Sequence, residues 1–187
     1  LMMLPLRVEY LANPVYLVAL TPGTVALLTS VVPNLARLVM SPVWGWLFDR
    51  MNFFTLRMTL NIGFAVGILS FFASETMPGF IFAAITFGVA SAGGDLAWTL
   101  WVTKIAPPTR VADYMSVHTF FTGLRGLAAP IIGFALVARY PMTTLGWFAV
   151  ASIVAGSLLL VPNAFRGAPM RRSSTPVAPV PEQTGEA

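Results

Sequence analysis

The chain has 187 residues, 57% of them hydrophobic and 10% charged, with a mean hydropathy of +0.78. A water-soluble domain carries about 25% charged residues, so most of this surface is not made for water and an integral membrane protein is indicated. With no Cys and a single His, disulfides, thiolate or multi-His metal sites and a Cys nucleophile are excluded within the chain; no metal and no cofactor are expected. The net charge of +4 comes from basic residues set between apolar runs, where membrane topology explains them better than a nucleic-acid partner does.

In chain order, residues 1–8 (LMMLPLRV) are too short to span a bilayer and lack the basic start of a signal peptide. They read as the end of a truncated transmembrane helix, which makes the sequence an expected fragment lacking its N-terminal part. Residues 9–23 are expected to form an extracytoplasmic loop. Five segments then meet the requirement of about 20 mainly apolar residues: 24–48, 55–74, 78–101, 115–138 and 143–162. None shows a polar stripe at helical period, which favours lipid on one side and other helices elsewhere. Glycines recur within them, and Gly63-Phe-Ala-Val-Gly67 has the spacing that lets two membrane helices approach closely. Residues 163–187 are rich in Pro, Ser, Thr and Ala without an apolar period, and read as a disordered tail. The expected fold is therefore all-α, a polytopic transmembrane helix bundle with 24–162 as its body.

The basic residues set the expected orientation. Arg50 and Arg57, then Lys104 and Arg110, then Arg166, Arg171 and Arg172 fall on one side of an alternating topology. The other side holds Glu75 and Arg139, with Glu9 in the first loop and Arg7 just before it. The positive-inside rule places the first set, and with it the C-terminus, in the cytoplasm.

The junction of the first two complete spans reads Gly45-Trp-Leu47-Phe-Asp49-Arg50. It resembles the cytoplasmic loop signature of the major facilitator superfamily, a G-x-L-x-D-R core between the second and third helices of each six-helix half. Gly45, Leu47, Asp49 and Arg50 match. The usual Gly-Arg-Arg continuation is replaced by Met51-Asn52-Phe53-Phe54, and the next basic residue is Arg57. Residues 106–133 also look like the approach to the fifth helix of such a half. The resemblance implies the C-terminal six-helix half of a transporter, with the N-terminal half as a missing partner and a bacterial inner membrane as its setting. It further implies that Asp49 latches the cytoplasmic side by meeting a helix N-terminus. Gly45 would permit close approach there, and Arg50 and Arg57 would hold the loop among the headgroups.

Arg37, Asp95 and Arg125 lie inside expected spans, where an isolated charge costs about 2.5–3.5 kcal/mol on insertion scales. Such groups face a cavity or a partner. One acid cannot neutralise two arginines, so either an anionic solute or acids of the missing half would complete the balance; an Asp95–Arg125 pair is the simplest structural alternative. His118, near the start of its span, is a proton-relay candidate. Trp98 and Trp101 read as interface anchors. Asp95 follows Ala-Gly-Gly, short of the G-x-G-D of intramembrane aspartyl proteases, and no second intramembrane Asp completes a dyad. No enzyme is expected. The reading is part of a secondary active transporter moving a small solute by alternating access, with proton coupling open. A non-transporting scaffold or receptor of the same fold is the alternative.

Overall fold

The computed structural model describes residues 2–16 and 18–165. Most of the expected tail lies outside the described residues, and its first three residues instead close the last helix. Among the described residues the chain is helical, with no strand. Helix α1 is Met3–Ala12, α2 Pro22–Arg50, α3 Phe53–Phe72, α4 Met77–Ile105, α5 Val111–Val137 and α6 Met142–Phe165. Helices α2 to α6 are long and apolar enough to cross a membrane over the expected segments. The first helix differs: it runs to Ala12, past the expected end at residue 8, because Leu6, Tyr10 and Leu11 continue its buried face.

Local chemistry sets the ends. Pro22 opens α2, and the Thr21 hydroxyl accepts a hydrogen bond from the Thr24 amide at 3.4 Å. Fixed proline geometry and a free hydroxyl both suit a first turn. Asn52 caps α3 by accepting from the Phe54 amide at 2.9 Å, so a two-residue link reverses the chain. A wide π-turn over Leu27–Val31 precedes Pro33. Proline cannot donate back along the helix and its ring displaces the preceding carbonyls, which widens that turn.

Helix α4 lies between α2 and α3, and α3 packs in turn on α6. Small residues allow this. A Cβ built on Gly63 would lie 3.0 Å from that of Ala90, and one on Gly67 3.3 Å from the Phe87 amide nitrogen. The close helix approach read from the Gly63/Gly67 spacing is present, between α3 and α4. On the other face of α4, a Cβ on Gly88 would run into the Pro33 carbonyl of α2, and one on Gly93 into Leu60 and Trp44. Trp44 is buried and its indole N–H donates to the Val89 carbonyl at 2.8 Å, tying α2 to α4.

Two apolar clusters fill the bundle. At one end Tyr10, Phe71, Phe72 and Phe80 gather with Leu28, Met142 and Leu145. Ring centroids there lie 5.3–6.3 Å apart, in the range of favourable tilted aromatic pairs. Nearer the other end, Trp44, Phe48, Leu56, Leu60, Ala92 and Ala97 form the second cluster. Between α1, α2, α3, α4, α5 and α6 the packing leaves a cavity.

Candidate functional site

The cavity has a volume of about 660 Å³ and, among the described residues, is lined by four arginines, Arg7, Arg37, Arg57 and Arg125, against one carboxylate, Asp95. Its floor is a single face of α4. Phe87, Ser91, Gly94, Asp95 and Trp98 all line it, and at 3.6 residues per turn these positions stack along one side of a helix. Phe64 and Asn61 of α3, Thr122 of α5 and Ile153 of α6 complete the wall. Asn61 donates to the Ser157 hydroxyl at 2.9 Å, fixing α3 against α6 beside the cavity.

Of the arginines read from the sequence, Arg37 meets Asp95 at 2.6 Å, with side chains 48% and 52% exposed. The Asp95–Arg125 alternative is therefore corrected. Helix α2 is drawn close to α4 by Gly88 and Gly93, so its arginine reaches the carboxylate first. Arg125 instead lies over the Trp98 ring, its guanidinium carbon 4.6 Å from the centroid. Arg57, expected to hold a loop among headgroups, sits inside α3 and lines the cavity, 6.0 Å from the same ring. Trp98, expected as an interface anchor, is thus part of the cavity wall. His118 stacks between Trp98 at 4.2 Å and Trp101 at 5.1 Å, and its Nε2 is buried without a hydrogen-bond partner.

Arg7 was not singled out by its sequence. It is only 7% exposed, and its Nε and Nη1 are buried with no hydrogen-bond partner. Its guanidinium lies 4.0 Å from the Phe87 ring centroid and 5.7 Å from that of Phe71. A desolvated cation–π contact is worth about 2 kcal/mol. That falls short of the several kcal/mol that an ion retains as a burial penalty after relaxation. The signal was available: Met3, Leu6, Arg7, Tyr10 and Leu11 are the buried residues of α1, and the spacing i, i+3, i+4, i+7, i+8 is one helical face. An arginine on that face stands where a core residue belongs.

The sequence profile of the Major Facilitator Superfamily matches residues 3–184. The chain belongs to the Major Facilitator Superfamily. No curated protein and no solved structure matches it. With five helices able to span a bilayer, it is a multi-pass integral membrane protein of a transporter family.

The loop signature shared with this superfamily lies at the far end of α2 and does not join the cavity, Arg57 excepted. Leu47 packs against the second apolar cluster, and Arg50 lies 3.9 Å over the Trp46 ring. Asp49 is exposed in the last turn and makes no hydrogen bond or ion pair among the described residues. A Cβ on Gly45 would meet nothing within 4 Å. Among the described residues neither the latch contact of Asp49 nor the close approach at Gly45 is made.

Proposed function

We propose that this chain supplies one wall of the solute path of a secondary active transporter, and that the solute is a small organic or inorganic anion. The observation that carries the reading is the charge of the cavity: four guanidinium groups against one carboxylate, a net of +3. Arginine stays ionised in proteins and must be solvated, paired or ligand-bound. A cavity of this size fits a small-molecule ligand, for which about 300–1,000 Å³ is usual. A companion six-helix half supplies the opposite wall, and rocking of the two halves exposes the site to either side of the bilayer in turn. A proton-coupled cycle would run through Asp95, the carboxylate on the cavity wall, with His118 next to Trp98 as its neighbour. On this reading the basic loops and the C-terminus face a bacterial cytoplasm. A single Cys at Thr109 should then resist an impermeant thiol reagent applied outside cells, while one at Thr76 reacts.

The test is uptake by the full-length protein in proteoliposomes, with radiolabelled inorganic phosphate, succinate and sebacate as probes. At least one anion should accumulate, and Arg125→Gln at equal protein abundance should reduce that accumulation about tenfold or more, the worth of one charge-assisted hydrogen bond. Failure of every anion to accumulate, with intact binding of one of them, would favour the receptor alternative.

A further inference from the structure

Among the described residues three of the cavity arginines have no carboxylate of their own, and they stand at two separate places. Arg37 has its counter-ion in Asp95. Arg7 sits against Phe87 and Phe71, while Arg57 and Arg125 share Trp98. Phe87 and Trp98 lie on the same face of α4, three helical turns apart, which is about 16 Å along the axis. The two positions are thus the ends of one elongated trough, with Ser91, Gly94 and the Asp95–Arg37 pair between them.

We infer that the solute is an elongated dianion, with one anionic group taken by Arg7 and the other by Arg57 and Arg125 beside Trp98. The inference rests on the anionic-solute reading above and narrows it. Arg7 is the decisive element. It is more than nine-tenths buried on the cavity wall, and its Nε and Nη1 together present three N–H donors that meet no acceptor. The aromatic faces beside it attract the charge but accept no strong hydrogen bond. A carboxylate or phosphate oxygen would supply both the charge and the acceptors. A monoanion can satisfy one end of the trough and leaves the other uncompensated; a short dianion cannot reach both. The apolar lining, which includes Phe64 and Ile68, suits a hydrocarbon spacer.

Titration calorimetry on the full-length protein in nanodiscs tests this with three probes: sebacate, decanoate and succinate. Sebacate and decanoate share a chain length and differ in one carboxylate; succinate carries two carboxylates on a short chain. Sebacate should bind about tenfold or more tighter than either. Arg7→Gln should abolish that advantage, lowering sebacate affinity to that of decanoate. The Arg57→Gln/Arg125→Gln double variant should abolish the advantage from the other end, which keeps the test decisive if Arg7→Gln does not fold. Equal binding of sebacate and decanoate to the unaltered protein, or an advantage that survives both variants, would overturn the two-ended site and leave the anionic reading standing. Absence of binding by all three and by inorganic phosphate would instead remove the anionic reading itself.

Discussion

Helices α4 and α5 have nearly the same hydropathy, 1.6 and 1.7 over their most apolar stretches, yet 44% of that stretch is buried in α4 and 6% in α5. The difference lies in side-chain size and not in greasiness. Helix α4 buries Ala83, Ala84, Ala90, Ala92 and Ala97 and places Gly88 and Gly93 where α2 approaches. Helix α5 exposes Phe120, Phe121, Leu124, Leu127 and Ile131, and nothing lies within 4 Å of a Cβ at Gly123 or Gly126. It is held chiefly by His118 between two tryptophans, by Arg125 on Trp98, and by Gly133 against Met2 and Leu6. Hydropathy decides entry into a membrane; small residues decide which helices then lock together where the hydrophobic effect no longer drives association. The cavity consequently has a densely packed floor and a lightly packed wall, which suits the proposed alternation of access.

Six substitutions break or sharpen that contrast. The largest effect belongs to Gly88→Ala, whose Cβ meets the Pro33 carbonyl and Ala36. It should cost about 3 kcal/mol, as overpacking against backbone does, seen as a fall in melting temperature in detergent and in membrane abundance. Trp44→Phe keeps an aromatic side chain but removes the indole N–H bond to Val89. The Val89 carbonyl, inside α4, keeps its helical partner, so the lost bond should cost about 1 kcal/mol. Gly123→Ala should act in the opposite direction, raising stability by about 0.5–1 kcal/mol, because open space accepts the methyl group and glycine is a poor helix residue. A loss of stability there would show that a close partner covers α5. The smallest effect is the coupling between Arg37→Gln and Asp95→Asn. For a half-exposed pair in a water-filled cavity, a double-mutant cycle should give about 0–1 kcal/mol. Arg125→Gln and Asp95→Asn should be additive within about 0.5 kcal/mol; strong coupling there would restore the pair that the structure does not show.

The spans were legible because each is a long apolar run bounded by Pro, Asn or charged residues, and hydropathy reads that directly. The Gly63/Gly67 approach was legible from spacing. The partner of Asp95 was not: Arg37 and Arg125 sit in equally apolar surroundings, and only helix neighbourhood, set by Gly88 and Gly93, separates them. The surroundings of Trp98 and His118 were not legible for a related reason. A tryptophan near a helix end resembles an interface anchor in sequence, and nothing local tells which face of α4 carries it. Arg7 was lost through the boundary of α1. With the helix ended at residue 8, its position on the buried face could not be counted, and a cavity arginine looked like a flanking charge.

The most direct test of the arginine-lined path uses charge-selective chemistry at Thr122, which lines the cavity on α5. This chain contributes no Cys, so Thr122→Cys can be read in a full-length background free of other reactive cysteines. Its reaction rate would be compared for a negatively charged and a positively charged methanethiosulfonate of similar size, with Phe120→Cys on another face of α5 as the reference. An excess of +3 at the cavity wall predicts that the anionic reagent reacts several-fold faster than the cationic one at Thr122, that added salt narrows the gap, and that sebacate protects the site. Faster reaction with the cationic reagent, or no difference between Thr122 and Phe120, would contradict a water-filled anion path along this face.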